Sequence, residues 1–147
     1  MASISGGDKL EFALARIAHE LGSGGVLRVG FLERATYPDG KPVAMIAAFN
    51  EYGTRTIPAR PFFRNMIAAK SKEWPEGIAT QLRLTHYNVD LTLQRTGAAI
   101  RGQLQQSIRD TNTPPNAPST IAKKGFNKPL IDTGHMLNSV DYEVNTR

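Results

Sequence analysis

Cysteine is absent from this chain of 147 residues. Without it the chain can form no disulfide, no thiolate nucleophile and no cysteine-ligated metal site. Long apolar runs are also absent, because no stretch approaches the roughly 20 apolar residues that a membrane-spanning helix needs. The first seven residues are small and polar and lack the basic and apolar regions of a signal peptide. We therefore expect neither a disulfide framework nor a membrane partner.

Residue patterns typical of catalysis or metal binding are equally scarce. The histidines His19, His86 and His135 are far apart, and none has the i,i+4 spacing of a helical metal pair. No glycine-rich loop leads into Lys-Ser or Lys-Thr, and no serine lies in a nucleophile-elbow motif. We therefore predict no catalytic residues, no metal site and no cofactor. The protein is expected not to be an enzyme.

The composition is otherwise that of a globular protein. Hydrophobic residues make up 40% of the chain and charged residues 21%, which is enough for one domain with a buried core. We expect a single domain over 1–147, with a flexible N-terminus at 1–7. The net charge of +5 comes from 18 basic and 13 acidic residues that are scattered along the chain. It permits weak contact with a polyanion and also describes an ordinary basic surface.

Hydrophobic periodicity predicts an α+β fold, in which a small, mostly antiparallel sheet packs against a long helix and shorter N- and C-terminal helices. The expected helices span 8–21, 43–52 and 61–74, and the expected strands span 26–32 and 140–144. In the first helix Leu10, Leu14, Ile17 and Leu21 form an apolar stripe, and Gly22 is the expected stop.

The middle of the chain carries a long helical pattern. Between 75 and 110 apolar residues recur at steps of three or four, which fits either one long helix or two helices with a break near 86–90. Gly97 and Gly102 each weaken such a helix by about 1 kcal/mol relative to alanine. Residues 111–118, rich in proline and asparagine, are expected to be a linker before a C-terminal helix–strand segment.

The stretch from residue 44 to residue 64 concentrates residues with specific conformational roles. Gly53 can adopt the left-handed conformation that ends a helix. Pro58 stiffens the loop that follows, and Pro61 can occupy the first position of the next helix. Ile46, Ala47 and Phe49 suit the buried side of the first helix, and Phe62 begins the apolar face of the second.

Three arginines in this stretch, Arg55, Arg60 and Arg64, lie close to Phe62 and Phe63. Cations for phosphates and aromatic rings for bases are typical of nucleic-acid binding. The helical spacing of the two phenylalanines favours burial instead, and arginines also bind carboxylates of a neighbouring subunit bidentately. A small basic nucleic-acid-binding module therefore stays an alternative.

Two motifs resemble those of tailed-bacteriophage neck and tail-completion proteins, a family of small head–tail joining proteins. The first is RVGFLERATYPDGKPVAMIAAFNEYGTRTIPARPFFR at 28–64, which contains the VA-x-IA-x-x-NEYGT and IPARPF segments typical of that family. The second is KPLIDTGHMLNSVDYEV at 128–144, in which a turn at Asp132, Thr133 and Gly134 leads through a short helix to a final strand. Asp132 or Thr133 is expected to cap that helix.

The resemblance implies a non-enzymatic virion protein that forms a homo-oligomeric ring between the portal/adaptor assembly and the tail. Its location would be the virion neck, and the host cytoplasm during assembly. Its partners would be copies of itself and the portal/adaptor and tail proteins, with non-specific contact to DNA in the channel. A tail terminator that caps the tail tube is the alternative within the same group of proteins.

The candidate interface residues are Glu51, Tyr52, Arg55, Pro58, Arg60 and Arg64. Arg55 and Arg60 would then form charge-assisted contacts across the ring interface, with Glu51 as the acidic counterpart. A salt bridge between Glu51 and Arg60 within one chain, which only holds the loop, explains the same residues equally well.

Overall fold

The structure, a computed structural model, describes residues 7–131 and 134–146. The predicted flexible N-terminus at 1–7 lies outside the described residues except for Gly7, which is the first residue of α1. The predicted helix caps at Asp132 and Thr133 also lie outside the described residues. The elements are α1 (Gly7–Ser23), β1 (Gly25–Phe31), α2 (Val43–Tyr52), α3 (Phe62–Lys70), a 3₁₀ turn (Ser71–Glu73), α4 (Trp74–Leu84), α5 (Val89–Asp110), α6 (Pro118–Lys124), α7 (His135–Asn138) and β2 (Val140–Thr146). The predicted α+β class is confirmed.

The two strands pair as an antiparallel sheet. The register places Leu27 opposite Val144, Val29 opposite Tyr142 and Phe31 opposite Val140. Because side chains alternate between the faces of a strand, these apolar pairs lie on one face of the sheet. That face packs against α5, the longest helix.

The contact between α5 and the sheet is closest at Gly97, which is buried. A Cβ atom placed on Gly97 would overlap the ring of Tyr142 and lie 2.8 Å from Cδ1 of Leu27. A Cβ placed on Gly102, five residues further along α5, would have no atom within 4 Å. Packing of the sheet therefore requires a glycine at residue 97 and leaves residue 102 unconstrained.

The hydrophobic core lies where α2, α3, α7 and β2 meet the C-terminal half of α5. Its buried apolar residues are Val43, Ala47, Phe62, Met66, Leu104, Ile108, Met136 and Val140. The ring of Phe31 packs edge-on against that of Phe62, with centroids 6.2 Å apart. The core thus joins residues from both motif segments to α5.

Residues 75–110 form two helices. Between α4 and α5 the chain reverses at His86 and Tyr87, whose φ angles are 53° and 63°. Asn88 then begins α5, because its side-chain oxygen accepts a hydrogen bond from the Leu91 amide at 2.9 Å. Pro75 lies in the first turn of α4, where its missing N–H costs no hydrogen bond.

Three predictions of helix ends are wrong. The helix expected to reach Trp74 ends at Lys70, and Trp74 begins α4 after the 3₁₀ turn. Helix α1 continues past Gly22 to Ser23, and the residue with the left-handed conformation is Gly24, at φ 62°. Pro61 precedes α3 instead of occupying its first position, since the helix begins at Phe62.

No helix within the described ranges is long and apolar enough to cross a membrane.

The buried side of α2 also differs from the prediction. Val43, Ala47 and Glu51 are buried at i,i+4 spacing, and Phe49 is 40% exposed. Phe49 lies about 160° around the helix from Glu51, so the two side chains cannot share a face. A carboxylate at the end of α2 therefore occupies the position that hydrophobicity alone assigns to an apolar residue.

The two glycines of α5 provide a matched test of the packing. We expect Gly97→Ala to lower the free energy of unfolding by about 1–3 kcal/mol, because the methyl group forces the sheet away from α5. We expect Gly102→Ala to raise it by about 0.5–1 kcal/mol, because alanine favours the helix and has open space there. Urea unfolding followed by circular dichroism measures both, and equal effects of the two substitutions would contradict the packing argument.

Candidate functional site

The loop between α2 and α3, residues 53–61, is the centre of the first motif. It begins at Gly53, which has φ 76°. A Cβ atom there would lie 2.9 Å from the Ala59 nitrogen and 3.0 Å from the Ile57 oxygen. Both the backbone conformation, with φ 76° and ψ 168°, and the close approach of the returning chain require glycine. Gly53 ends α2 as predicted, but the predicted left-handed helical conformation is wrong, because its ψ places it in the extended positive-φ region.

Hydrogen bonds within the loop fix its path. The Thr54 amide donates to the Ile57 carbonyl at 2.8 Å, and the Ile57 amide donates to the Thr54 hydroxyl at 3.1 Å. At the other end the Arg60 amide donates to the Asn50 carbonyl at 2.7 Å. These bonds close the loop on itself and on the last turn of α2.

Pro61 turns the chain into α3. Its φ and ψ of −76° and 60° are those of an inverse γ-turn, and the Phe62 amide donates to the Arg60 carbonyl at 2.7 Å. The carbonyl of Pro61 then accepts from the Asn65 amide at 3.0 Å. Pro61 therefore sets the direction of α3 from the position just before the helix.

Glu51 holds the start of α3. Its buried carboxylate accepts hydrogen bonds from the amides of Phe63 at 2.9 Å and Arg64 at 3.1 Å. These amides belong to the first turn of the helix, which has no partners for them inside the helix and carries a partial positive charge. The carboxylate of one helix thus caps the next helix across the loop.

Arg64 completes this arrangement. Its Nε donates to the Glu51 carboxylate at 2.8 Å, and its Nη2 donates to the Glu51 carbonyl at 3.0 Å. The guanidinium carbon lies 4.8 Å from the centroid of the Tyr52 ring, a cation–π distance. The Arg64 side chain is 55% exposed, so a guanidinium and an aromatic ring are held together at the surface.

Arg60 points the other way, into the protein. It is buried, and its Nε and Nη2 donate to the carbonyls of Pro114 and Pro115 at 2.8 and 3.0 Å. Loss of hydration on burial lowers the pKa of the Arg60 guanidinium. Arg60 thereby anchors the linker, which spans 111–117 because α6 begins at Pro118.

The expected salt bridge between Glu51 and Arg60 within one chain is therefore wrong. Glu51 pairs with Arg64, and Arg60 binds two carbonyl groups instead of a carboxylate. The reason is geometric: Arg60 lies on the far side of the inverse γ-turn from the first amides of α3. In the isolated chain both side chains are buried and hydrogen-bonded.

The remaining candidates face the solvent. Tyr52, Arg55 and Pro58 are exposed, and within the described part of the chain Arg55 forms no hydrogen bond or ion pair. Together with Arg64 they form what we call the loop surface. The role of these residues, and of Glu51 and Arg60, in a subunit interface stays a prediction.

The second motif packs against the first. Gly134 has φ 80° and precedes α7, whose Met136 enters the core. Nε2 of His135 lies 2.7 Å from the Thr36 carbonyl oxygen, and its ring lies 4.8 Å from that of Tyr37. Segments about 100 residues apart in sequence therefore meet at α7 and at the sheet.

The interactions at this site are hydrogen bonds, an ion pair and a cation–π contact. The Glu51 carboxylate accepts hydrogen bonds from three N–H groups of the chain itself. The three histidines lie on α1, in the reversal after α4 and on α7. No three histidine or acidic residues within 7–131 and 134–146 group into a metal site. The absence of enzymatic activity stays a prediction.

Comparison with known proteins adds no relative. No protein-family model, no curated protein and no solved structure matches the chain. The resemblance to phage neck proteins therefore depends on the two motifs alone.

The cap on α3 can be tested by removing the carboxylate. We expect Glu51→Ala to lower the free energy of unfolding by about 2–4 kcal/mol, because it leaves two amides of the first turn of α3 and the Arg64 guanidinium without their acceptor. The control is Glu143→Ala, which breaks the exposed pair with Arg28, also formed at 3.0 Å, and should cost less than about 1 kcal/mol. Equal losses in urea unfolding would show that Glu51 is not a cap.

The anchoring of the linker can be tested at Arg60. We expect Arg60→Met, which keeps the apolar stem and removes both donors, to speed amide hydrogen exchange in 111–117 by about tenfold or more. Arg55→Met is the matched control and should leave exchange there unchanged. Unchanged exchange in the Arg60 variant would mean that the linker is held by other contacts.

Proposed function

We propose that the chain is a structural virion protein of the neck of a tailed bacteriophage, which forms a homo-oligomeric ring joining the head connector to the tail. The observation that carries this proposal is the packing of the two motif segments into one unit. Residues 28–64 and 128–144, on which the family resemblance depends, share a sheet and a core. They also leave the loop surface exposed.

The packing of the two motif segments against each other supports the resemblance. Val29 of the first segment pairs with Tyr142 of the second, and Arg28 is bound to Glu143 at 3.0 Å. Two short motifs that match by chance have no reason to meet in three dimensions. Segments that form one structural unit are what a resemblance to a single family requires.

The loop surface suits binding to another protein. Hydrogen bonds of Thr54, Glu51 and Arg60 fix the loop in the free chain, so little conformational entropy is lost on association. Tyr52 and the arginines are residue types enriched at the centres of protein interfaces. A neighbouring subunit that presents carboxylates would form charge-assisted hydrogen bonds with Arg55 and Arg64.

The same geometry weakens the nucleic-acid alternative. Phe62 is 1% exposed and Phe63 is half-buried, so neither ring is available to stack on a base. Arg60 is bound to the linker. The positive net charge of the chain still supports weak, sequence-independent contact with DNA in the channel of a ring.

In this proposal the role of the protein is geometric. A closed ring with identical heterologous contacts extends the connector and keeps the channel open for DNA. The ring binds the portal/adaptor assembly on one side and the tail on the other. It is made in the host cytoplasm and remains in the virion.

The proposal predicts an assembly defect without a folding defect. We expect Arg55→Glu to weaken self-association at least tenfold and to block the joining of heads to tails, because it reverses the charge at the centre of the loop surface. The melting temperature of the monomer should be unchanged, since the side chain is exposed. Arg95→Glu, an exposed site on α5, is the control.

Sedimentation velocity measures the association, and electron microscopy of purified particles locates the protein. A protein absent from particles, or one that is monomeric within them, would overturn the proposal. Tight binding to duplex DNA that falls steeply with salt, with no self-association, would favour the nucleic-acid module instead.

A further inference from the structure

Helix α1 leaves an apolar stripe uncovered. Leu10, Leu14 and Leu21 are 63%, 57% and 44% exposed, and Ile17 lies between them on the same face. The helix packs extensively on no other described element. An amphipathic helix is stabilised mainly by burial of its apolar face. In the isolated chain the apolar stripe of α1 lacks this burial.

A second uncovered apolar face lies on α2. Met45, Phe49 and Tyr52 follow one another at i, i+4 and i+7, and they are 40%, 40% and 67% exposed. The opposite side of α2 is buried through Val43, Ala47 and Glu51. We call the exposed side, Met45, Phe49 and Tyr52, the α2 face.

We propose that the apolar stripe of α1 docks on the α2 face of a second copy of this chain. The inference rests on the proposed homo-oligomer and names the segment that each subunit gives to its neighbour. Donor and acceptor are different surfaces, so each chain gives one helix and receives one, and such head-to-tail contacts form a ring when the rotation between subunits closes.

Charge complementarity points to a second copy as the occupant. Helix α1 carries three acidic and two basic residues, a net charge of −1, in a chain whose net charge is +5. Glu11 and Glu20 border the stripe on its two sides, each about 90° around the helix from its centre. The α2 face has no exposed acid, and Arg55 and Arg64 lie beside it.

The α2 face is shorter than α1 and adjoins the loop surface. Helix α1 has 17 residues and is therefore about 25 Å long, and the α2 face spans two turns, about 11 Å. One helix on a face of this length is smaller than a stable interface, which buries roughly 1,200–2,000 Å². Because Tyr52 belongs both to the α2 face and to the loop surface, a docked α1 extends the proposed interface instead of competing with it.

The absence of cysteine makes disulfide trapping a direct test. Leu14→Cys protein is mixed with Phe49→Cys protein under mild oxidation, so that only two chains can be joined by a bond. We expect the mixed dimer as the main product, because docking brings the two Cα atoms within about 7 Å. Phe12→Cys is the matched control: it is 77% exposed on the same helix but about 160° from Leu14, and it should join to Phe49→Cys at least tenfold less.

Two other products would overturn the inference. Joining of Leu14→Cys mainly to itself would mean that α1 pairs with α1. Preferential joining to Ala99→Cys would place α1 in the groove of about 700 Å³ between α3 and α5, which Ala69, Ala99 and Gly102 line. Equal trapping by Leu14→Cys and Phe12→Cys would indicate random collision.

A second measurement separates this inference from the proposed function. We expect Leu10→Glu to weaken self-association at least tenfold in sedimentation velocity, whereas Leu84→Glu, 63% exposed like Leu10, should not. A ring that forms normally with Leu10→Glu and gives no Leu14–Phe49 product refutes the docking of α1 alone. A native protein that stays monomeric at all concentrations and in particles refutes both.

Discussion

The structure depends on one carboxylate at the start of α3. The first turn of a helix leaves amide groups without internal partners, and Glu51 accepts from two of them while it neutralises Arg64. This interaction fixes the distance and direction between α2 and α3. The loop that joins the two helices is consequently held at both ends, and Tyr52 and Arg64 are held beside it.

Helix α5 packs against the sheet with one half and against the hydrophobic core with the other. Its N-terminal half lies against the sheet, where Gly97 admits Tyr142 and Leu27 at close range. Its C-terminal half, through Leu104 and Ile108, completes the core with α2, α3 and α7. The face of the protein that carries the loop is thus supported from behind by a continuous helix, and rigid support is what a contact surface needs.

The predictable parts of this fold are those with local signals. The bounds of α2, the position of Gly53 at its end and the alternation in both strands follow from residue type and period, and the structure agrees with them. The contacts of Arg60 with Pro114 and Pro115 join residues more than 50 positions apart and leave no periodic trace. The exposed position of Phe49 was unpredictable for a related reason: hydrophobicity says that a residue prefers burial, and only the packing of α2 decides which side is buried.

Capping of α3 by Glu51 could not be predicted from the sequence, for a more specific reason. The known capping signatures place the acceptor at or next to the start of the same helix. Here the acceptor ends the preceding helix, and a nine-residue loop returns the chain to it. The tight path at Gly53, where a Cβ atom would lie 2.9 Å from the Ala59 nitrogen, allows that return.

Gly24, between α1 and β1, determines the direction of α1. Gly25 is packed, since a Cβ there would lie 2.5 Å from Leu93, whereas a Cβ on Gly24 would meet no atom within 4 Å. The direction of α1 is therefore governed by the two dihedral angles of one unhindered glycine, which has many conformations of similar energy. In the proposed ring, an α1 helix attached through this glycine would tolerate different angles between adjacent subunits, so the rest of the chain would set the number of subunits.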